Sequence, residues 1–144
     1  MKSQPIKVLL LEDNQRDADR ICDKLCHQYK ELDIQCVETK ANFFNQVKAF
    51  QPDVILSSDN TQRQYDGLKA LDDLQAAYPD IPFLIVIDTM QEERVTKAIK
   101  HGAWDYVVKS RLERLPIAIE NALKRKQEQE KRKRTEELIQ TLNQ

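Results

Sequence analysis

Glycine is nearly missing from this chain: Gly67 and Gly102 are the two among 144 residues. Loops that cradle the phosphates of a nucleotide or flavin need glycine, so that backbone N–H groups can close on the anion. Cysteine is also scarce. Cys22, Cys26 and Cys36 make an odd count without zinc-knuckle spacing. Cys22 and Cys26, with His27 beside them, would stack on one helix face. They are expected to be buried thiols acting as small apolar residues, not metal ligands or disulfide partners. No stretch is long and apolar enough to span a membrane, and no signal peptide is visible, so a cytoplasmic protein with no membrane partner is expected. A basic surplus is absent as well. Residues 124–144 carry seven Lys/Arg and four Asp/Glu, while the rest carry 16 and 20. The acidic globular part cannot neutralise a phosphate backbone, so no nucleic-acid partner is expected. The basic run Lys131–Arg134 is flanked by glutamates and reads as a solvated helix face.

What is present is a repeated alternation of strand and helix. Ile6–Leu11 is an apolar strand, and Asp17–Gln28 a helix with Ala18, Ile21, Cys22, Leu25 and Cys26 on one face. Ile34–Val37, Val54–Ser57, Phe83–Ile87 and Tyr106–Val108 are the further strands. Ala41–Phe50, Gly67–Ala77 and Glu92–Lys100 are the helices between them. Gly102 suits a left-handed cap just past a helix end. Ser110-Arg111-Leu112-Glu113 has the form of a capping box, and Pro116 suits the first turn of a long final helix. Such an order implies a parallel sheet with right-handed crossovers and helices on both faces. The expected fold is flavodoxin-like and doubly wound, five strands in the order 2-1-3-4-5 with five helices, the last one extended. Residues 1–123 are expected to form the domain. Residues 124–144 are expected to be a charged helical extension or linker, because no apolar residue occurs from Lys124 to Glu137.

The chemistry is concentrated at strand ends. Lys7-Val8-Leu9-Leu10-Leu11 runs into Glu12-Asp13, at the edge where open parallel sheets bind ligands. Two adjacent carboxylates there repel an anion and attract a divalent cation. The third strand leads into Ser57-Ser58-Asp59, and the fifth into Lys109. Converging carboxylates and an ammonium would suit Mg²⁺ with a phosphoryl group.

These segments resemble the receiver domains of bacterial two-component signalling. The resemblance rests on Lys7–Asn14, Pro52–Ser57, Tyr65-Asp66-Gly67-Leu68 and Gly102–Lys109, and covers about residues 5–123. It is closest to receivers followed by a charged helix, as in hybrid sensor-kinase proteins. It implies that the chain accepts a phosphoryl group from a histidine kinase or phosphotransfer protein onto an aspartate, with Mg²⁺ as cofactor. It also implies switching of the helix 4–strand 5–helix 5 face, which, with the C-terminal helix, is a possible homodimer contact. No enzyme activity beyond self-phosphorylation and dephosphorylation follows. Carried over by position, Glu12, Asp13 and Asp59 would bind the metal, Lys109 would contact the phosphoryl group, and Tyr106 would be the aromatic switch.

Two departures stand out. Counted from Pro52-Asp53, the acceptor position falls on Ser58; counted back from Asp66-Gly67, it falls on Asp59. If the extra residue forms a bulge in the third strand, Asp59 is the acceptor. If it lies in the following loop, where Asn60–Gln64 lacks the family's Leu-Pro, Ser58 takes the site. At the end of the fourth strand, Ile87 replaces the family's Ser or Thr, with Asp88-Thr89 beyond it. Isoleucine cannot donate a hydrogen bond, and Asp88 would oppose phosphorylation. The chain thus reads either as a working receiver or as a degenerate one serving as a phosphorylation-independent interaction module. An aspartyl-phosphate type of Mg²⁺ phosphatase is disfavoured, since strand one lacks the second acid two residues on.

Overall fold

The computed structural model describes residues 5–59, 67–89 and 91–143. The strands are β1 (Ile6–Leu11), β2 (Leu32–Val37), β3 (Val54–Asp59), β4 (Phe83–Ile87) and β5 (Asp105–Val108). They alternate with α1 (Gln15–Gln28), α2 (Lys40–Phe50), α3 (Gly67–Ala77), α4 (Glu92–Lys100) and α5 (Leu115–Leu142). All strands pair in parallel, in the order β2-β1-β3-β4-β5. This is the expected fold.

Strand alternation sorts the core into two layers. Val8, Leu10, Val54, Leu56, Leu84, Val86 and Val107 face α1 and α5, meeting Ile21, Leu25, Leu115 and Ile119. Leu9, Leu11, Ile55, Phe83, Ile85 and Ile87 face the opposite layer, with Phe43 and Val47 of α2, Leu71 and Leu74 of α3, and Ala98 of α4. Small residues Ala18, Ala118 and Ala122 sit buried in the first layer. A polar clamp fixes the lower edge: the Lys7 backbone N–H donates to Asp53 Oδ2 at 2.9 Å.

Local chemistry explains where the elements begin. Asn14 caps α1 by accepting from the Asp17 N–H, so the helix starts before Asp17, and Thr39 caps α2 in the same way. Gly102 takes φ +115°, as its cap role requires. The expected capping box at Ser110–Glu113 does not form. Residues Lys109–Arg114 make a 3₁₀ turn, and α5 starts without a side-chain cap, with Pro116 in its first turn. The cysteine expectation also fails in part: Cys26 and Cys36 are exposed and Cys22 is half-buried. Cys26 lies at the rim of the α1 stripe, and Cys36 lies on the outermost strand.

Near the end of its docked part, α5 sets the Arg125 guanidinium 4.5 Å from the centre of the Trp104 ring. From Gln127 to Asn143 the helix is exposed, including Leu138, Ile139 and Leu142. No helix among the described residues is long and apolar enough to cross a membrane. Ile119→Ala should cost about 2–5 kcal/mol in urea unfolding, because it opens a cavity between α5 and the sheet. Deleting residues 128–144 should move the thermal midpoint by no more than about 2 °C, since it removes no buried contact.

Candidate functional site

The carboxyl ends of β1, β3, β4 and β5 bring polar side chains to one edge of the sheet. Glu12, only 2% exposed, lies directly after β1. Its Oε2 accepts the Asn14 N–H at 3.2 Å, so the turn into α1 holds the carboxylate in place. Lys109, 7% exposed, follows β5. Its Nζ lies 3.0 Å from Glu12 Oε1, 2.8 Å from Asp17 Oδ2 and 3.2 Å from Asp88 Oδ1. Three carboxylates therefore surround one ammonium, which has three protons to donate. Arg20 adds a further tie, donating to the Lys109 carbonyl at 2.9 Å. Asp13 is exposed beside this cluster.

The Lys109 ammonium is held above the ordinary lysine pKa. Burial is the largest single influence and acts downward, but the hydrogen bonds that Lys109 donates to Asp17, Glu12 and Asp88, together with the Glu12 charge, outweigh it.

The third strand decides where the neighbouring acid goes. β3 extends two residues beyond the expected Ser57 and pairs with β4 without interruption, from Ile55 beside Phe83 to Asp59 beside Ile87. There is no bulge in it; the alternative, an extra residue in the loop at Asn60–Gln64, lies outside the described residues. Unbroken alternation puts Ser58 on the face shared by Val54 and Leu56, the α1 side on which Lys109 meets Asp17. Asp59 lies on the opposite face with Ile55 and Ile87. There its carboxylate meets Arg94 of α4 through both oxygens, with Arg94 Nε donating to Oδ2 at 2.6 Å and NH2 pairing with Oδ1. The Asp59 side chain is 3% exposed and that of Arg94 is 25% exposed.

The expected residues thus divide. Glu12 and Lys109 come together; Asp13 stands beside them; Asp59 is turned toward α4. Ser58 is fully buried on the Lys109 side. Ile87 is buried and Thr89 exposed, so the hydroxyl expected at the end of β4 has no substitute at the position itself. Tyr106 is half-buried, with the Arg114 guanidinium 6.0 Å from its ring centre. Mg²⁺ takes oxygen donors in octahedral geometry, with carboxylates that are not already neutralised. Here Glu12 is engaged by Lys109, and Asp59 is engaged by Arg94 from the other face of β3. Among the described residues no group of three His, Cys, Asp or Glu side chains is placed to hold a metal. The described donors do not fit the three-carboxylate site that the resemblance implied.

Asp17, Asp88 and Arg94 are the site residues that sequence reasoning missed or left without a partner. Asp17 carried a weak signal, lying four residues after Asp13 at the start of a helix. Arg94 carried another, a cation in a helix first turn, where the helix dipole disfavours it.

Comparison with known proteins agrees with this architecture. Residues 8–120 match the family described as "Response regulator receiver domain". The chemotaxis protein CheY of Listeria monocytogenes is 32% identical over 99 residues, covering 66% of this chain and 82% of CheY. The regulatory protein LuxO of Vibrio vulnificus is 26% identical over 95 residues, covering 65% of this chain and 21% of LuxO. The chain thus spans about a fifth of the length of that relative. Among solved structures, NtrX from Brucella abortus superposes with a TM-score of 0.81 at 18% identity, covering 92% of this chain and 30% of NtrX. A receiver domain protein from Clostridium thermocellum gives 0.75 at 20% identity, covering 85% and 97%.

Lys109→Met should cost about 3–5 kcal/mol in urea unfolding at pH 7, because it leaves Glu12 buried without its cation. Adding Glu12→Gln should recover more than half of that loss. The raised Lys109 pKa means its stabilisation is fully present below the unfolded lysine value and disappears as pH rises through the folded one. The gap between wild type and Lys109→Met should therefore hold at neutral pH and narrow above about pH 10.4.

Proposed function

This chain belongs to the response regulator receiver domain family, and from that premise we propose that it is a phosphorylation-independent interaction module in two-component signalling. The observation that carries this reading is the face of β3 on which Asp59 lies. Phosphoryl transfer to an aspartate needs a carboxylate oxygen open to attack phosphorus and cationic groups beside the transferring oxygens. Asp59 has both oxygens on Arg94 and lies on the strand face opposite to Ser58. The Lys109 ammonium already faces three carboxylates. Asp88 is one of them, so a negative charge sits where an incoming phosphoryl oxygen would need an electropositive surface. Ile87 supplies no hydroxyl at the end of β4.

In this reading the domain works by docking. Its partners are a histidine kinase, a phosphotransfer protein or an output domain, or a second copy through α4, β5 and α5. The exposed end of α5 would lead toward whatever the receiver controls. One feature favours the opposing reading, in which Asp59 is phosphorylated in a Mg²⁺-dependent reaction: Glu12, Asp13 and Lys109 are gathered at a single edge.

The two readings separate in one experiment. The protein is incubated with Mg²⁺ and acetyl phosphate, and in parallel with beryllofluoride, beside Asp59→Asn. Intact mass and ¹⁵N–¹H spectra are recorded. No phosphoryl adduct and no Mg²⁺-dependent beryllofluoride shift are expected for either protein. An adduct on the wild type that Asp59→Asn lacks would establish the working receiver instead.

A further inference from the structure

We propose that Asp59 is a structural anchor for α4, and that the Arg94–Asp59 pair is the latch that fixes the position of that helix. This deepens the interaction-module reading and rests on it, by naming what sets the state of α4 when no phosphoryl group does. Three observations meet here. First, the pair is a two-pronged guanidinium–carboxylate contact with a nearly fully buried acid. That geometry is directional and strong, unlike an exposed ion pair. Second, α4 begins at Gln91 without any side-chain cap. Its first turn carries Glu92 and Glu93, which suit the positive end of the helix dipole, whereas Arg94 does not. A cation in that turn is accounted for by the anion that meets it from β3. Third, the connection between β4 and α4 is held from its other flank too, because Asp88 reaches Lys109 beyond β5 at 3.2 Å.

Asp88 and the first turn of α4 are therefore tied to the two strands that flank β4. One tie runs to the end of β3 through Arg94, and the other to the end of β5 through Asp88. Asp88 is 60% exposed in its side chain, so its tie is the weaker one. The register explains why Asp59 can serve: β3 places it directly beside Ile87, the last residue of β4. An acid on the other face of β3 could not reach α4. A partner that reads α4 would thus meet a surface fixed by the chain's own charges.

Hydrogen–deuterium exchange at constant pH tests this, with wild type, Arg94→Ala, Arg94→Lys and Asp59→Asn. Peptides from α4 should exchange about tenfold faster in Arg94→Ala, while those from α1 and β1 stay unchanged. Arg94→Lys, which keeps the charge but loses the fork, should fall between. Asp59→Asn should also accelerate α4. Equal α4 exchange in all four proteins would overturn the latch, as would uniform acceleration across every element. A variant too unstable to measure shifts the decision to Arg94→Lys, the mildest change. Running the wild type with acetyl phosphate and Mg²⁺ keeps the two failures apart. An adduct on Asp59 removes the interaction-module reading, whereas unchanged α4 exchange in the variants removes the latch alone.

Discussion

The carboxyl edge of this sheet is organised around one buried ammonium. Lys109 stands at the end of β5 and reaches Glu12 after β1, Asp17 in α1 and Asp88 after β4. Neither Lys109 nor Glu12 could be buried alone, since a charge removed from water needs an opposite charge and hydrogen bonds to replace its hydration. Their pairing fixes how the ends of β1 and β5, which are not neighbours in the sheet, sit relative to each other. Arg20, bound to the carbonyl of Lys109 and paired with Asp17 at 3.6 Å, draws α1 into the same arrangement. The site is therefore also a structural joint.

A second constraint follows from the pleat. Side chains of a strand alternate between faces, so two adjacent residues cannot serve the same site. Ser58 and Asp59 illustrate it. Continuous pairing of β3 with β4 delivers the serine to the Lys109 side and the aspartate to the α4 side. Each then meets different chemistry. The serine is buried on the face it shares with Val54 and Leu56, and the aspartate meets Arg94. A shift of one position along β3 is enough to move a side chain from one layer of the protein to the other.

Much of the architecture was legible in the sequence. The apolar run Val8–Leu11 ahead of two acids, the stripes of α1 and α2, Gly102 past a helix, and the five-fold strand–helix order all depend on local pattern, which the fold preserves. The meeting of Glu12 and Lys109 was legible because strand ends in a parallel sheet converge on one edge. The capping box at Ser110 was not formed, because Lys109–Arg114 make a 3₁₀ turn and α5 begins only after it. Cys26 and Cys36 were misjudged because a thiol is small enough to be tolerated at a rim or on an outermost strand.

What the sequence determined by itself was the order of elements, the parallel sheet and the identity of the acids and lysine at its edge. Periodicity and strand-end position are properties of neighbouring residues, so they can be read in one dimension. What only the tertiary structure decided was partnership. Arg94 and Asp59 are 35 positions apart, and Lys109 and Asp17 are 92 apart. No local rule links such pairs; they meet because strand register and helix packing bring them within hydrogen-bond distance. The physical reason is that a charge chooses its partner by proximity and desolvation in space, and the length of β3 sets which charges are near.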